Sequence, residues 1–234
     1  MVADGRKIAI GDVHGCGREL DRLLRELAVT DQDRLFFLGD LINRGPESRR
    51  VVQRVRELPG ARWLIGNHEW RLLAYRRTGL ADYIREQDRD TLAQLQADDW
   101  AFIEQGEPFI ELPELNMVLV HGGFVPNRPW RTAEVETMVD LQVFDPASGA
   151  YGRLGRVPQG RFWLHDWQGP PFVVCGHTPA TDVFATEWGC CLDTGCVYGG
   201  HLTAMDLEKR TWCQVKAYAN YAGRPVPRQR PGQV

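Results

Sequence analysis

The chain has no run approaching the roughly 18 consecutive apolar residues of a membrane span, and its start, Met1 to Lys7, lacks an apolar targeting core. A soluble, cytoplasmic protein with no membrane partner is expected. It has no C-x-x-C spacing either. Its six cysteines lie mostly in apolar stretches, which fits reduced core thiols better than a disulfide set. Excess positive charge is also missing. A net charge of −3 supplies no general field for holding nucleic acid, so an anionic substrate must be drawn in locally. Repeats and low-complexity tracts are absent. What remains is 234 residues of ordinary globular composition, 43% hydrophobic and 10% aromatic.

Strand-like runs at Lys7 to Ile10, Arg34 to Leu38 and Arg62 to Ile65 alternate with helical spacing at Leu20, Leu23, Leu24 and Leu27, and at Val51, Val52, Val55 and Leu58. This β-α-β-α-β order predicts an α/β fold with parallel strands, in which ligands collect at the strands' carboxyl ends. Each strand is followed by a polar loop led by glycine: Gly11-Asp12-Val13-His14-Gly15, then Gly39-Asp40 through Asn43-Arg44-Gly45-Pro46, then Gly66-Asn67-His68-Glu69. Further strands at Met117 to Val120 and Phe172 to Cys175 lead into His121-Gly122-Gly123 and Gly176-His177-Thr178. Runs at Gly189 to Leu192, Leu202 to Leu207 and Thr211 to Ala217 read as closing strands.

One domain over residues 1–222 is expected. It carries a charged helical insertion at about 70–105, which is either one wall of a cleft or a solvated flank. Residues 126–168 read as loops beside the site, and the Pro- and Arg-rich residues 223–234 as a disordered tail.

The strand ends together present Asp12, His14, Asp40, Asn67, His121 and His177. Two carboxylates, an amide oxygen and three imidazoles suffice for two divalent metal ions with Asp40 as the bridge. A donor set of nitrogen and oxygen without thiolate suits Mn, Fe, Zn or Co. Two ions about 3.5 to 4 Å apart activate a bridging hydroxide and bind two phosphoryl oxygens. Arg44 follows Asp40 in the second loop and can fork onto phosphate oxygens. His68 adjoins the ligand Asn67 and is the candidate proton donor to the leaving group. His165 and His201 have no motif partner and read as core or surface residues. Trp70, Tyr75, Trp130, Trp163, Trp167 and Tyr198 are candidates for a base-stacking face, although such residues are more often core.

Taken in order, these loops resemble the signature of the phosphoprotein phosphatase branch of the calcineurin-like metallophosphoesterases. The stretch Asp193-Thr194-Gly195-Cys196 through His201-Leu202-Thr203-Ala204 is similar to its bacterial members, the symmetrical dinucleoside tetraphosphatases and small Ser/Thr phosphatases. The resemblance implies a four-layer α/β/β/α sandwich, a dimetal centre often loaded with manganese, and a second phosphate-binding arginine between the His121 and His177 loops. Arg161 and Arg128 are the leading choices, ahead of Arg131, Arg153 and Arg156.

Asn43 departs from the protein phosphatases, which usually carry an Asp there to support the protonated His at position 68. An alkoxide leaving group needs that proton, whereas a nucleotide phosphate, with a second pKa of about 6, does not. Hydrolysis of a nucleoside polyphosphate such as diadenosine tetraphosphate is therefore expected. Hydrolysis of phosphoserine and phosphothreonine proteins is the alternative, and a non-catalytic metal-binding signalling module is a third. By the same reasoning, Asn43→Asp alone is expected to raise turnover of alkyl phosphomonoesters.

Overall fold

A computed structural model describes residues 5–232. The first half is β1 (Lys7–Ile10), α1 (Gly17–Glu26), β2 (Arg34–Phe37), α2 (Ser48–Arg56), β3 (Arg62–Trp63), α3 (Asn67–Thr78), α4 (Arg89–Gln94), α5 (Ala97–Ile103), β4 (Phe109–Leu112) and β5 (Met117–Val120). Then come α6 (Val135–Asp140), β6 (Val143–Phe144), β7 (Tyr151–Gly152), β8 (Arg161–Phe162), β9 (Phe172–Cys175), β10 (Phe184–Ala185), β11 (Gly189–Cys191), β12 (His201–Asp206) and β13 (Thr211–Lys216).

The strands form two five-stranded sheets, ordered β13-β12-β1-β2-β3 and β10-β11-β9-β5-β4, and a small sheet β7-β6-β8. Within the first, β1, β2 and β3 are parallel, and within the second so are β5, β9 and β11. Successive side chains on a strand point to opposite faces, which divides the apolar residues among three cores. Ala9, Phe36 and Leu38 of the first sheet meet Leu119, Val174 and Cys190 of the second, so the sheets pack against each other. Ile8, Ile10 and Phe37 point the other way, onto Leu20, Leu23 and Leu24 of α1 and Val51, Val52 and Val55 of α2. Val118, Val120 and Val173 leave the far side of the second sheet and pack on Phe124, Phe162 and Trp163.

The four layers expected from sequence are present. The outer layer over the second sheet is built from α6, the small sheet and aromatic turns rather than from long helices. In the region read as a helical insertion at about 70–105, α3, α4 and α5 follow one another with short turns between, and α2 packs on α5. No helix among the described residues is long and apolar enough to cross a membrane. The six cysteines are free thiols, five of them buried.

Two segments differ from the sequence reading. Residues 126–168 contain α6 and three two-residue strands, too short to leave a periodic signal. Residues 223–234 were expected to be disordered; 233 and 234 lie outside the described residues, and 223–232 lie against the body. Arg230 is 2% exposed and donates to the carbonyls of Thr178, Asp182 and Asp193 at 2.8, 2.8 and 2.7 Å. Composition registers the segment's lack of apolar residues, whereas its order comes from hydrogen bonds to distant backbone.

Asp33 braces the starts of β1 and β2. It accepts from the Arg6 N–H and Nε at 3.0 Å each and from the Thr30 N–H at 2.9 Å. The Arg6 guanidinium, outweighing burial, holds the Asp33 carboxyl down to about 2. The folded value lies below the unfolded one, so this stabilisation is complete above about pH 4 and is lost as pH falls through about 2. Discounted for the partly exposed guanidinium, Asp33→Asn is expected to cost about 1 kcal/mol at pH 7 in urea denaturation, with parent and variant converging near pH 2. A difference that persisted at pH 2 would show that the carboxylate charge is not what stabilises this corner.

Candidate active site

The loops after β1, β2, β3, β5 and β9 converge where the two sheets meet, and their backbones are tied together before any side chain is considered. The His14 N–H donates to the Asp40 carbonyl at 2.7 Å, the Gly15 N–H to Leu41 at 2.8 Å, and the Gly45 N–H to His14 at 3.0 Å. Glu69, in the first turn of α3, is fully buried and accepts from the N–H groups of Asp40, Ile42 and Gly66 at 3.0, 3.1 and 3.0 Å, fastening the second loop to the third. Burial first, and then the Asp40 charge, push its carboxyl up to about 7. Asp12 accepts the His177 N–H at 3.0 Å, joining the first loop to the one after β9.

This tying holds His14, Asp40, Asn43, Arg44 and His177 at φ of 47, 48, 73, 68 and 66°. Non-glycine residues in this left-handed region cost about 1 kcal/mol or more each and persist only where surrounding contacts over-determine them. Two glycines allow the close approach. A Cβ on Gly66 would lie 2.2 Å from Asp40 Oδ1, and one on Gly176 would lie 2.1 Å from Asp12 Oδ1.

Asp40 stands at the centre. Ligand atoms of His14, Asp40 and His68 lie within 4.8 Å of one another, as do those of Asp40, His121 and His177, so its carboxylate is common to both groups. Asp40 Oδ2 is 3.4 Å from His14 Nε2 and 3.5 Å from His121 Nε2. His14 Nδ1 donates to the Ile42 carbonyl at 3.0 Å and His121 Nδ1 to Leu38 at 2.7 Å. Each carbonyl fixes a tautomer whose Nε2 lone pair faces the cluster, the arrangement that metal-ligating histidines use.

The Asn67 amide adds a further test of fit. Its inward end lies 3.3 Å from Asp40 Oδ2, 3.2 Å from His121 Nε2 and 2.9 Å from His177 Nδ1. With oxygen inward and the His121 Nε2 proton displaced, four acceptor atoms face one another, a repulsive arrangement that cations convert into a binding site. His177 Nε2 is also buried without a hydrogen-bond partner. The donors therefore fit divalent ions.

Protonation favours the same use. Burial, reinforced by the Arg44 charge, lowers His14 to about 3, and burial also puts His68 and His177 well below the ordinary imidazole value. These three rings are neutral, as ligands must be. His121 differs: burial is outweighed by Asp40 and Asp12, which push it up to about 10, so its Nε2 carries a proton that a bound ion would displace. Burial, and then the neighbouring Asp193, raise Asp12.

His68 lies beside this cluster. Its backbone N–H donates to Asp40 Oδ1 at 3.0 Å, and its Nδ1 is 2.8 Å from Asn43 Nδ2. The Arg44 guanidinium sits 2.5 Å from His14 Nε2. Arg44, Asp40, Asn67 and His177 line a cavity of about 630 Å³.

The six expected ligands, Arg44, Asn43 and His68 are thus brought together, but the two leading choices for a second arginine are not. Arg161 is spent on Asp166, with Nε–Oδ2 at 2.8 Å, and Arg128 lies over the Tyr151 ring at 4.9 Å in a separate cavity near Trp130. Arg153 takes their place in the site cavity, held by an ion pair with Asp140. It was among the arginines named from sequence, but no local motif singled it out.

Sequence reading missed Asp88 altogether. It is fully buried, accepts from Asn43 Nδ2 at 3.0 Å and is ion-paired with Arg71, 45 residues from Asn43 with no motif to mark it. Of the candidate stacking residues, Tyr198 lines the cavity, whereas Trp130, Trp163 and Trp167 belong to the core. His165 packs against Phe162 and Phe184, away from the site.

Parallel strand ends that converge on a carboxylate–imidazole cluster beside arginines define a class, the metal-dependent phosphohydrolases. Comparison with known proteins makes the family specific. The calcineurin-like phosphoesterase family matches residues 5–215, and the chain belongs to it.

A symmetrical bis(5'-nucleosyl)-tetraphosphatase from Methylococcus capsulatus is 33% identical, over 86% of this chain and 91% of its own. One from Janthinobacterium sp. (strain Marseille) is 30% identical, over 89% and 95%. An asymmetrical bis(5'-nucleosyl)-tetraphosphatase from Oceanobacillus iheyensis is 26% identical, over 88% and 90%. A crystal structure provisionally assigned as a diadenosine tetraphosphatase superimposes with a TM-score of 0.78 at 29% identity, over 93% of this chain and 96% of its own. The protein is accordingly a metallophosphoesterase, a family membership that implies a divalent dimetal site, and its donor groups offer one.

Proposed function

We propose that this enzyme hydrolyses a phosphoanhydride bond of a dinucleoside polyphosphate, diadenosine tetraphosphate being the reference substrate, with manganese as the metal. The observation that carries the reading is Asn43 Nδ2 facing His68 Nδ1 at 2.8 Å. Asp88 accepts from the same nitrogen, so the amide must present its NH2 to both neighbours. Asn43 therefore donates to His68 Nδ1, and the single ring proton sits on Nε2. A neutral imidazole is a very weak acid that can offer a hydrogen bond but not readily a proton, which a nucleotide leaving group tolerates and an alkoxide does not. The names of the relatives support the same substrate class.

Asp12, His14, Asp40, Asn67, His121 and His177 would hold the metal pair, and their nitrogen and oxygen donors without thiolate suit manganese. A metal pair held there would supply an activated water and positive charge toward the phosphoryl oxygens. Arg44 and Arg153 orient the phosphoryl group by forked hydrogen bonds, and His68 holds its proton at Nε2 for the departing oxygen. Free, buried cysteines accord with a reducing compartment, the cytoplasm.

The test compares kcat/KM for diadenosine tetraphosphate and for a phosphoserine peptide with manganese added. A preference of at least about 100-fold for the dinucleotide is expected, the span of one protonation effect. Preference for the peptide would replace this reading with protein dephosphorylation.

A further inference from the structure

The chain's own C-terminal segment builds one side of the site cavity. Besides Arg230, three contacts pin it down. The Phe162 N–H donates to the Pro231 carbonyl at 2.7 Å, Thr181 Oγ1 donates to the Arg228 carbonyl at 3.0 Å, and Val226 packs on Gly195 so tightly that a Cβ there would lie 1.8 Å from it. The Arg230 acceptors flank the site, since Thr178 adjoins His177 and Asp193 follows β11. Held in this way, the segment lines the cavity that also contains Asp40, Asn67 and His177.

Arg224 is the segment's contribution to the chemistry of that cavity. Its Nη2 donates to the Tyr198 hydroxyl at 2.6 Å, and its Cζ lies 4.7 Å from the Tyr198 ring centroid, with the Arg44 Cζ 5.5 Å from the same ring. Tyr198 thus connects the arginine next to the cluster with the arginine on the tail. A guanidinium has five N–H donors, and one suffices for Tyr198. Among the described residues Arg224 has no carboxylate partner, and the same holds for Arg44 and Arg85, which line the same cavity.

One phosphoryl group can use only the cations nearest the metal ligands. Cations further along the wall need further phosphates. The shape agrees, because a second cavity of about 360 Å³, walled by Trp70 and Tyr83, meets the first at Asn67, Arg85 and Arg153. The site has two arms leading away from the cluster.

We infer that the arm formed by Arg224 and Tyr198 binds the phosphates of a polyphosphate substrate that lie beyond the one under attack, which makes the tail a determinant of chain-length specificity. The inference rests on the polyphosphate reading given above and deepens it.

The test variant is Arg224→Gln, at an exposed position. The ratio of kcat/KM for diadenosine tetraphosphate to that for p-nitrophenyl phosphate is expected to fall about tenfold or more, mainly through KM for the dinucleotide, with Arg224→Lys recovering part of it. Calorimetric titration with inorganic tripolyphosphate in metal-free buffer reads the arm without turnover, and a Kd about tenfold weaker in Arg224→Gln is expected. An unchanged ratio together with an unchanged tripolyphosphate Kd overturns the inference. Failure of the parent enzyme to hydrolyse diadenosine tetraphosphate overturns the polyphosphate reading instead, and the titration then decides the fate of the arm alone.

Discussion

Asp40→Asn is expected to fold as the parent does, to lose its bound divalent metal and to lose roughly 10⁴-fold in phosphohydrolase turnover, equivalent to several kcal/mol at 1.36 kcal/mol per decade. The amide keeps the shape of the carboxylate, and its oxygen can still accept the His68 N–H now bonded at 3.0 Å. The charge is what disappears. Asp40 is 1% exposed and is the one carboxylate shared by the two donor groups, with His14 and His121 at 3.4 and 3.5 Å. Against burial, the charged His121 ring keeps its carboxyl well below the usual range, so the negative charge is kept. Elemental analysis of the purified variant together with aryl-phosphate turnover gives the answer. Parent-like metal content with parent-like turnover would remove Asp40 from the centre of the site.

Asn43→Asp is expected to destabilise the protein by about 3 kcal/mol, lowering Tm by several degrees, because it buries like charges side by side. Position 43 faces Asp88 Oδ1 at 3.0 Å, and Asp88 is already committed to Arg71 and to the Arg85 N–H at 2.7 Å. A second carboxylate there would meet a first one, so the single change is expected to fall short of the gain that the sequence alone suggests. The double variant Asn43→Asp/Asp88→Asn exchanges the donor and acceptor ends. The amide introduced at position 88 can donate to the carboxylate introduced at position 43, and that carboxylate can then accept from a His68 protonated at Nδ1. We expect this pair to recover stability and to gain about 100-fold on alkyl phosphomonoesters with little change on anhydrides. Scanning calorimetry and a two-substrate assay separate these outcomes, and a single variant as stable as the parent would show that Asp88 does not constrain Asn43.

This pair also shows where the sequence stops being informative. The ligand loops were legible because each couples an apolar run of strand length to a glycine and a polar cluster, and residues such as Asp12, Asp40 and His121 carry their chemistry in their type. The parallel β1-β2-β3 core was legible from the helical spacing between its strands. That the ligands come from two different sheets, with Asp40 on one and His121 and His177 on the other, was not, because local periodicity does not say which strands share hydrogen bonds. Asp88 was out of reach, and Arg153 could not be singled out among five candidate arginines, for a related reason. Each is placed by a partner in another element, Asp88 by Arg71 and Asn43, Arg153 by Asp140, and a lone charged residue in a charged stretch looks solvated. The tail misled in the same way, since Arg230 is ordered by three carbonyls that no composition records.

The left-handed backbone at His14, Asp40, Asn43, Arg44 and His177 has a consequence for how this protein can change. At those five positions the residue that suits the backbone is glycine, and the residue that suits the reaction carries a polar or charged side chain. Selection for stability and selection for turnover therefore pull against each other within the same few codons. The site is held in place by activity alone, and once the reaction ceases to matter it becomes the region where drift toward a sturdier, inert protein meets least resistance.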